Sequence, residues 1–186
     1  MVSVFSLWLP IVLSAVFVFI ASSLIHMVIG YHANDIQPVP KEDAVMDALR
    51  PFNIPPGDYC VPKPANMKDL GTPEYKAKME KGPVVFFTVM PPGAGFMGKT
   101  LGVWFIYSVV VSFVAAYVTG IAYGPGVKYP QIFRMAATVG FACYAMALPQ
   151  LSIWYRRNWM TTIKSMVDGF IYGCLIGGTF GWLWPR

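Results

Sequence analysis

Two histidines, three cysteines and one aspartate set inside an apolar stretch are the side chains of this sequence best equipped for chemistry. His26 closes the long apolar run that opens the chain, on an i, i+4 row with Ser14, Ser22 and Gly30 that draws a weakly polar stripe along a helix. An ionisable group at such depth is a functional candidate by default, because hydrocarbon exacts a cost unless a partner or ligand satisfies it. Its imidazole could ligate a haem iron or the central metal of a chlorin. A bis-histidine haem needs a second ring on a facing helix, whereas His32 follows six residues later, about 240° around a continuing helix and beyond its expected end. The spacing disfavours an intrinsic haem, so no cofactor is expected and His26 should hydrogen-bond to Ser22 or a backbone carbonyl.

Asp168 is the one acidic residue inside an apolar run. At full depth a charge there costs about 2.5–3.5 kcal/mol, so it needs a partner or a proton. Lys164, one turn away on the same side, is the expected ion-pair partner, with Lys99 as the other choice. A proton relay needs successive carriers, and the other apolar runs contain no acid. Cys60, Cys143 and Cys174 stand apart, so neither a disulfide framework nor a CxxC pair can be written, and no metal centre is expected. No GxSxG, HExxH, Walker or dinucleotide fingerprint occurs, and the chain is not expected to be an enzyme.

The elements that must position these groups are long and apolar. Charged residues make up 12% of the 186 positions, against about 25% in soluble domains, and mean hydropathy is +0.53. The net charge of +5 is too diluted among apolar runs to form a basic face, which excludes nucleic acid as a partner. Four runs reach spanning length, near Leu7–Tyr31, Lys99–Tyr123, Ile132–Tyr155 and Thr162–Trp184, since about 20 apolar residues cross a bilayer. The first carries no Lys or Arg ahead of it and far exceeds a signal-peptide core, so it should be retained. The expected fold is an all-α membrane protein: a four-transmembrane-helix bundle in which 1–31 is the first helix, 32–98 an extramembrane loop and 99–186 the remaining three.

Charge sets the expected topology. Lys41, Arg50, Lys63, Lys68, Lys76, Lys78, Lys81, Lys99, Arg156, Arg157 and Lys164 fall on the loop face, against Lys128, Arg134 and Arg186 on the face of the termini. The positive-inside rule then puts the loop in the cytoplasm of a bacterial inner membrane and both termini outside.

The loop holds eleven of the sixteen prolines and eight of the nine acids. Pro40 with Glu42 and Asp43 predicts a helix ending before Pro51, and Thr72-Pro73-Glu74 a second one stopping at Gly82-Pro83. Val84–Met90 has strand composition and must pair, with Tyr59-Cys60-Val61 as the internal candidate. Gly93-Ala94-Gly95 reads as a flexible approach to the second span.

Two small-residue rows are packing signals. Ser165, Gly169, Gly173, Gly177 and Gly181 form a glycine zipper, and Ser108, Ser112, Ala116 and Gly120 form a related row. Pro149 should kink the third helix by removing the bond to the Ala145 carbonyl. Beyond the lipid bilayer, other membrane subunits or a second copy are the expected partners. The expected role is a noncatalytic accessory or scaffold subunit of a larger membrane complex. A small transporter or channel, and a pigment- or haem-associated subunit using His26, are the alternatives.

Overall fold

The computed structural model describes residues 1–93 and 96–186. It is mostly helical (69%), with a small two-stranded sheet. Among the described residues, four helices are long and apolar enough to cross a membrane: Val4–Ile29, Met97–Ala122, Tyr129–Tyr155 and Trp159–Leu183. At 25 to 27 residues each, they exceed the hydrocarbon core of about 30 Å at ~1.5 Å per residue. The chain divides into two compact units, one over Met1–Gln37 and Gly95–Arg186, the other over Pro38–Ala94.

The first unit is the helix bundle. The first span enters through a 3-10 turn at Val4–Leu7, continues as α1 (Trp8–Ser23) and ends as a π-helix over Leu24–Ile29. α1 packs against α4 (Phe96–Ala122) and α7 (Trp159–Leu183), and both of these pack against α5 (Tyr129–Ala145). Leu7, Ala15, Val18, Ala115, Ala116, Ile132, Ala136, Ile176 and Phe180 are fully buried where the four helices meet. The opposite faces carry exposed Val, Ile and Phe side chains, as lipid-facing surfaces do.

The glycine row of α7 faces α5. A Cβ at Gly173 would meet Ala137 O at 2.7 Å and Phe141 N at 2.9 Å, and one at Gly177 would meet Phe133 O and Ala137 Cβ, each at 2.7 Å. Gly169 faces Ala145 and Gly181 faces the ring of Tyr129, while Ser165 is half-buried and bonds to Thr161 O. Small side chains thus let two backbones approach to where packing alone holds helices together. On α4, Ser108, Ser112 and Ala116 are fully buried. Gly120 instead meets the chain ahead of the first helix, where Val2 N donates to Gly120 O at 2.8 Å.

Pro149 does more than kink the third span. α5 stops at Ala145 and α6 (Pro149–Tyr155) begins at the proline, with a turn between them. The Ala145 carbonyl, deprived of its usual partner by the missing Pro149 N–H, accepts from Leu148 N at 3.1 Å.

The second unit contains α2 (Glu42–Leu49), β1 (Gly57–Val61), α3 (Pro73–Lys81) and β2 (Val85–Val89). α2 starts after Pro40 because Lys41 is left-handed, at φ 55°. Thr72 caps α3 by accepting from Tyr75 N at 3.3 Å, and Gly82 at φ 56° ends it. β1 and β2 pair antiparallel with Tyr59 opposite Phe87, Cys60 opposite Phe86 and Val61 opposite Val85. The flexible approach expected at Gly93-Ala94-Gly95 falls, at 94–95, outside the described residues.

Candidate metal centre

The polar residues gather at the end of the bundle where the first span stops and α7 begins. A π-helix bonds i to i−5, so Gly30 N donates to Ile25 O at 3.1 Å, and Gly30 itself is left-handed at φ 65°. Glycine tolerates that conformation without a Cβ clash. The chain therefore reverses here, and two further turns, Ala33 N to Gly30 O and Asp35 N to His32 O, each 2.9 Å, make a strap of Tyr31–Asp35.

The reversal lays His32 on His26. Their rings are parallel to within 5°, with centroids 4.7 Å apart. His26 Nδ1 lies 3.0 Å from Ser22 O, and a carbonyl can only accept, so Nδ1 carries the proton and Nε2 presents its lone pair. His32 Nδ1 lies 2.6 Å from Asp35 Oδ2, and its Nε2 lies 2.8 Å from Asp168 Oδ2. Tyr31 donates its phenolic proton to the other oxygen of Asp168.

Lys164 closes the strap from outside. Its Nζ donates to Asp35 Oδ1 at 2.8 Å and to Tyr31 O at 2.7 Å. The Lys164 ammonium, and after it the His32 hydrogen bond, hold the Asp35 carboxyl below the ordinary carboxylate range. The ion pair expected between Asp168 and Lys164 is thus replaced: Lys164 is engaged by Asp35, and Asp168 by Tyr31 and His32. The reason is depth. Asp168 is buried and one turn farther in, where Tyr31 and His32 of the strap satisfy it, while Lys164 reaches the acid at the rim. Lysine N-terminal to the acid is also the poorer order for an i, i+4 pair on a helix.

His26, His32 and Asp168 each offer a ligand atom, and these atoms lie within 4.8 Å of one another. Two imidazoles and a carboxylate suit zinc, copper, iron or nickel. His26 spends Nδ1 on a carbonyl, the arrangement that fixes tautomer and ring orientation in metal-bound histidines, whereas His32 has a carboxylate oxygen at each nitrogen, so its Nε2 would have to leave Asp168 and the parallel rings turn apart for both to meet one ion. Exposure grades across the cluster: His26 is open, His32 half-buried and Asp168 buried. An ion would therefore have a closed side toward the protein and an open side at His26.

Counting cysteines could not find this donor set, because it contains none. His32 and its partners Tyr31 and Asp35 were hidden by a continuing-helix geometry that the π-turn abolishes; Gly30, one residue before the strap, is the sequence signal for chain reversal. Cys60, Cys143 and Cys174 are free thiols and none of them belongs to the cluster. Next to the cluster, Trp104 Nε1 donates to Ser22 Oγ at 2.9 Å, joining the His26 turn to an aromatic group of Trp104, Tyr107, Tyr144 and Tyr172. Comparison with known protein families, curated proteins and solved structures finds no match for this chain.

Proposed function

We propose that this chain is an integral membrane protein that holds one transition-metal ion between His26, His32 and Asp168, and that it serves in that capacity as an accessory subunit of a bacterial inner-membrane assembly. The convergence of those three residues carries the reading. They come from opposite ends of the chain, and ionisable residues gathered at the end of a membrane-spanning bundle are functional candidates by default. Each donor already has the supporting bond that metal sites require: Ser22 O behind His26, Asp35 behind His32 and Tyr31 on the free oxygen of Asp168.

An accessory role rather than a catalytic one fits the remainder. Among the described residues the cysteines have no histidine beside them, and the chemistry is concentrated in one cluster at one end of the bundle. Charge balance supports the loop end as the cytoplasmic one, which gives the ion a cytoplasmic approach.

The test is metal content. Protein purified in mild detergent, stripped with chelator and reloaded with Zn2+ or Cu2+, should retain one equivalent after desalting. His26→Gln and His32→Gln should each lose it while keeping helical content. Equal retention by wild type and both variants would sink the proposal.

A further inference from the structure

We propose that a groove between α5 and α7, at the end of the bundle away from the histidines, binds one anionic phospholipid: its phosphate on Arg134, its glycerol esters at Thr138 and an acyl chain between the two helices. The groove has a volume of about 280 Å³ and runs beside the glycine seam, where Gly173 and Gly177 put no side chain against α5. Phe133 rims its shallow end, stacked on Tyr129 with ring centroids 5.9 Å apart. Phe141 and Phe170 close its deep end, meeting edge to face at 6.2 Å. Arg134 to Phe141 covers about 10.5 Å of helix, most of the ~15 Å that the chains of one leaflet span.

Polarity falls along the groove in the order that it falls along a lipid. Arg134 and Thr138 are one turn apart on an exposed face of α5, so Thr138 lies about 6 Å deeper. The interfacial layer of a bilayer is about 5–7.5 Å thick on each side. A phosphate at the guanidinium therefore brings the ester carbonyls to the Thr138 hydroxyl, and below them the phenylalanines take over. Charge selects the occupant. Arg134 stands about 7.5 Å inside its span, where a cation is costly without an anion, yet it has no ion pair among the described residues. The chain offers it none: all nine acids stand at positions 35–80 or at Asp168, in the cluster at the other end of the bundle. A second copy set parallel in the membrane would bring the same acid-free face. The lipid phosphate is the anion present at this depth, and a guanidinium pairs with it through two parallel bonds. Lys128 and Arg186 add positive charge on the same face with no acid to offset it, which favours a headgroup of net negative charge.

The experiment strips native lipid from the full chain in mild detergent and titrates it with dioleoylphosphatidylglycerol, dioleoylphosphatidylcholine or inorganic phosphate, counting bound species by native mass spectrometry. Wild type should hold one phosphatidylglycerol several-fold more tightly than phosphatidylcholine, and excess phosphate should not displace it, because the groove grips the chain as well as the headgroup. Arg134→Gln should weaken phosphatidylglycerol by about tenfold, the scale of a lost charge-assisted bond. Arg134→Lys and Thr138→Val should each cost less, and Lys128→Gln, outside the groove, less again. Displacement by phosphate would assign the site to a free anion and overturn the lipid. Equal binding of the two lipids, or equal effects of Arg134→Gln and Lys128→Gln, would reveal a general lipid annulus and overturn it as well. So would a dimer that takes up no lipid, since a second copy would then cover the groove. The comparison of the two lipids on wild type decides the proposal even where Arg134→Gln fails to fold.

Discussion

His32 Nε2 and Asp168 Oδ2 lie 2.8 Å apart across 136 positions of sequence, and that one bond ties the strap after the first span to the interior of α7. Asp168 is 4% exposed, so removing its charge leaves groups with no solvent to turn to. Asp168→Asn keeps an oxygen for Tyr31 but turns an amide toward His32. A buried bond to a charged group is worth about 1.5–3 kcal/mol, and each kcal/mol shifts Tm by about 2–4 °C in a chain of this size. Thermal unfolding followed by circular dichroism should show a fall of that order. An unchanged Tm would mean the strap is held by other contacts.

Lys164 and Asp35 give a pH-dependent check on the same strap. The Asp35 carboxyl is held below its ordinary 3.8, first by the Lys164 hydrogen bond. A depressed acid contributes stability that is fully present above its unfolded value and is lost as pH falls through its folded one. Lys164→Met should therefore unfold at a lower temperature than wild type near neutral pH, and the gap should narrow as pH drops below 3.8. A gap that persisted undiminished in acid would assign the loss to packing of the lysine stem instead.

The sequence encodes the two units more openly than it encodes the site. The β1–β2 pairing was legible because Pro and Gly bracket an apolar run too short to stand alone, and the loop has one other segment of strand composition. The helix bounds were legible from apolar length, and α3 from Thr72-Pro73 and Gly82. Of the site, His26 and Asp168 were legible as ionisable groups at apolar runs, but His32 and the convergence of the three were not, because periodicity assumes a constant turn. Six residues at ~100° each put His32 on the far side from His26, yet one π-turn and a left-handed Gly30 bring the two rings face to face. The partner of Asp168 was hidden for the same reason: Lys164 is near in sequence, whereas Tyr31 and His32 are near only after the reversal.

The glycine row of α7 should respond to single methyl groups according to what faces each position. Gly173→Ala would push a Cβ to 2.7 Å from Ala137 O, a backbone atom that cannot step aside, so the α5–α7 pair must separate. Gly178→Ala meets only the Tyr129 hydroxyl at 3.7 Å, an ordinary contact. The first variant should lose about 1–3 kcal/mol, as overpacked sites do, and the second should stay near wild type or gain slightly from helix propensity. Thermal stability of the two proteins in one detergent makes the comparison. Equal effects would show that glycine content, not its register against α5, sets the packing.

The last expectation is topological. The turn between α6 and α7 carries Arg156 and Arg157, and Lys164 lies a turn and a half inside α7. The opposite turn, between α4 and α5, carries Lys128, with Arg134 in the first turns of α5. Adding the long loop and the C-terminus, the tally becomes eleven basic residues against three, and basic residues near span ends are retained in the cytoplasm. A reporter fused after Arg186 should therefore be active only as a periplasmic marker. With Cys60, Cys143 and Cys174 replaced by Ser, Lys76→Cys should be shielded from an impermeant thiol reagent in intact cells and react once the membrane is opened. Labelling of intact cells at position 76 would invert the orientation, and with it would move the His26–His32–Asp168 cluster to the outer face, where any ion it held would have to come from the periplasm.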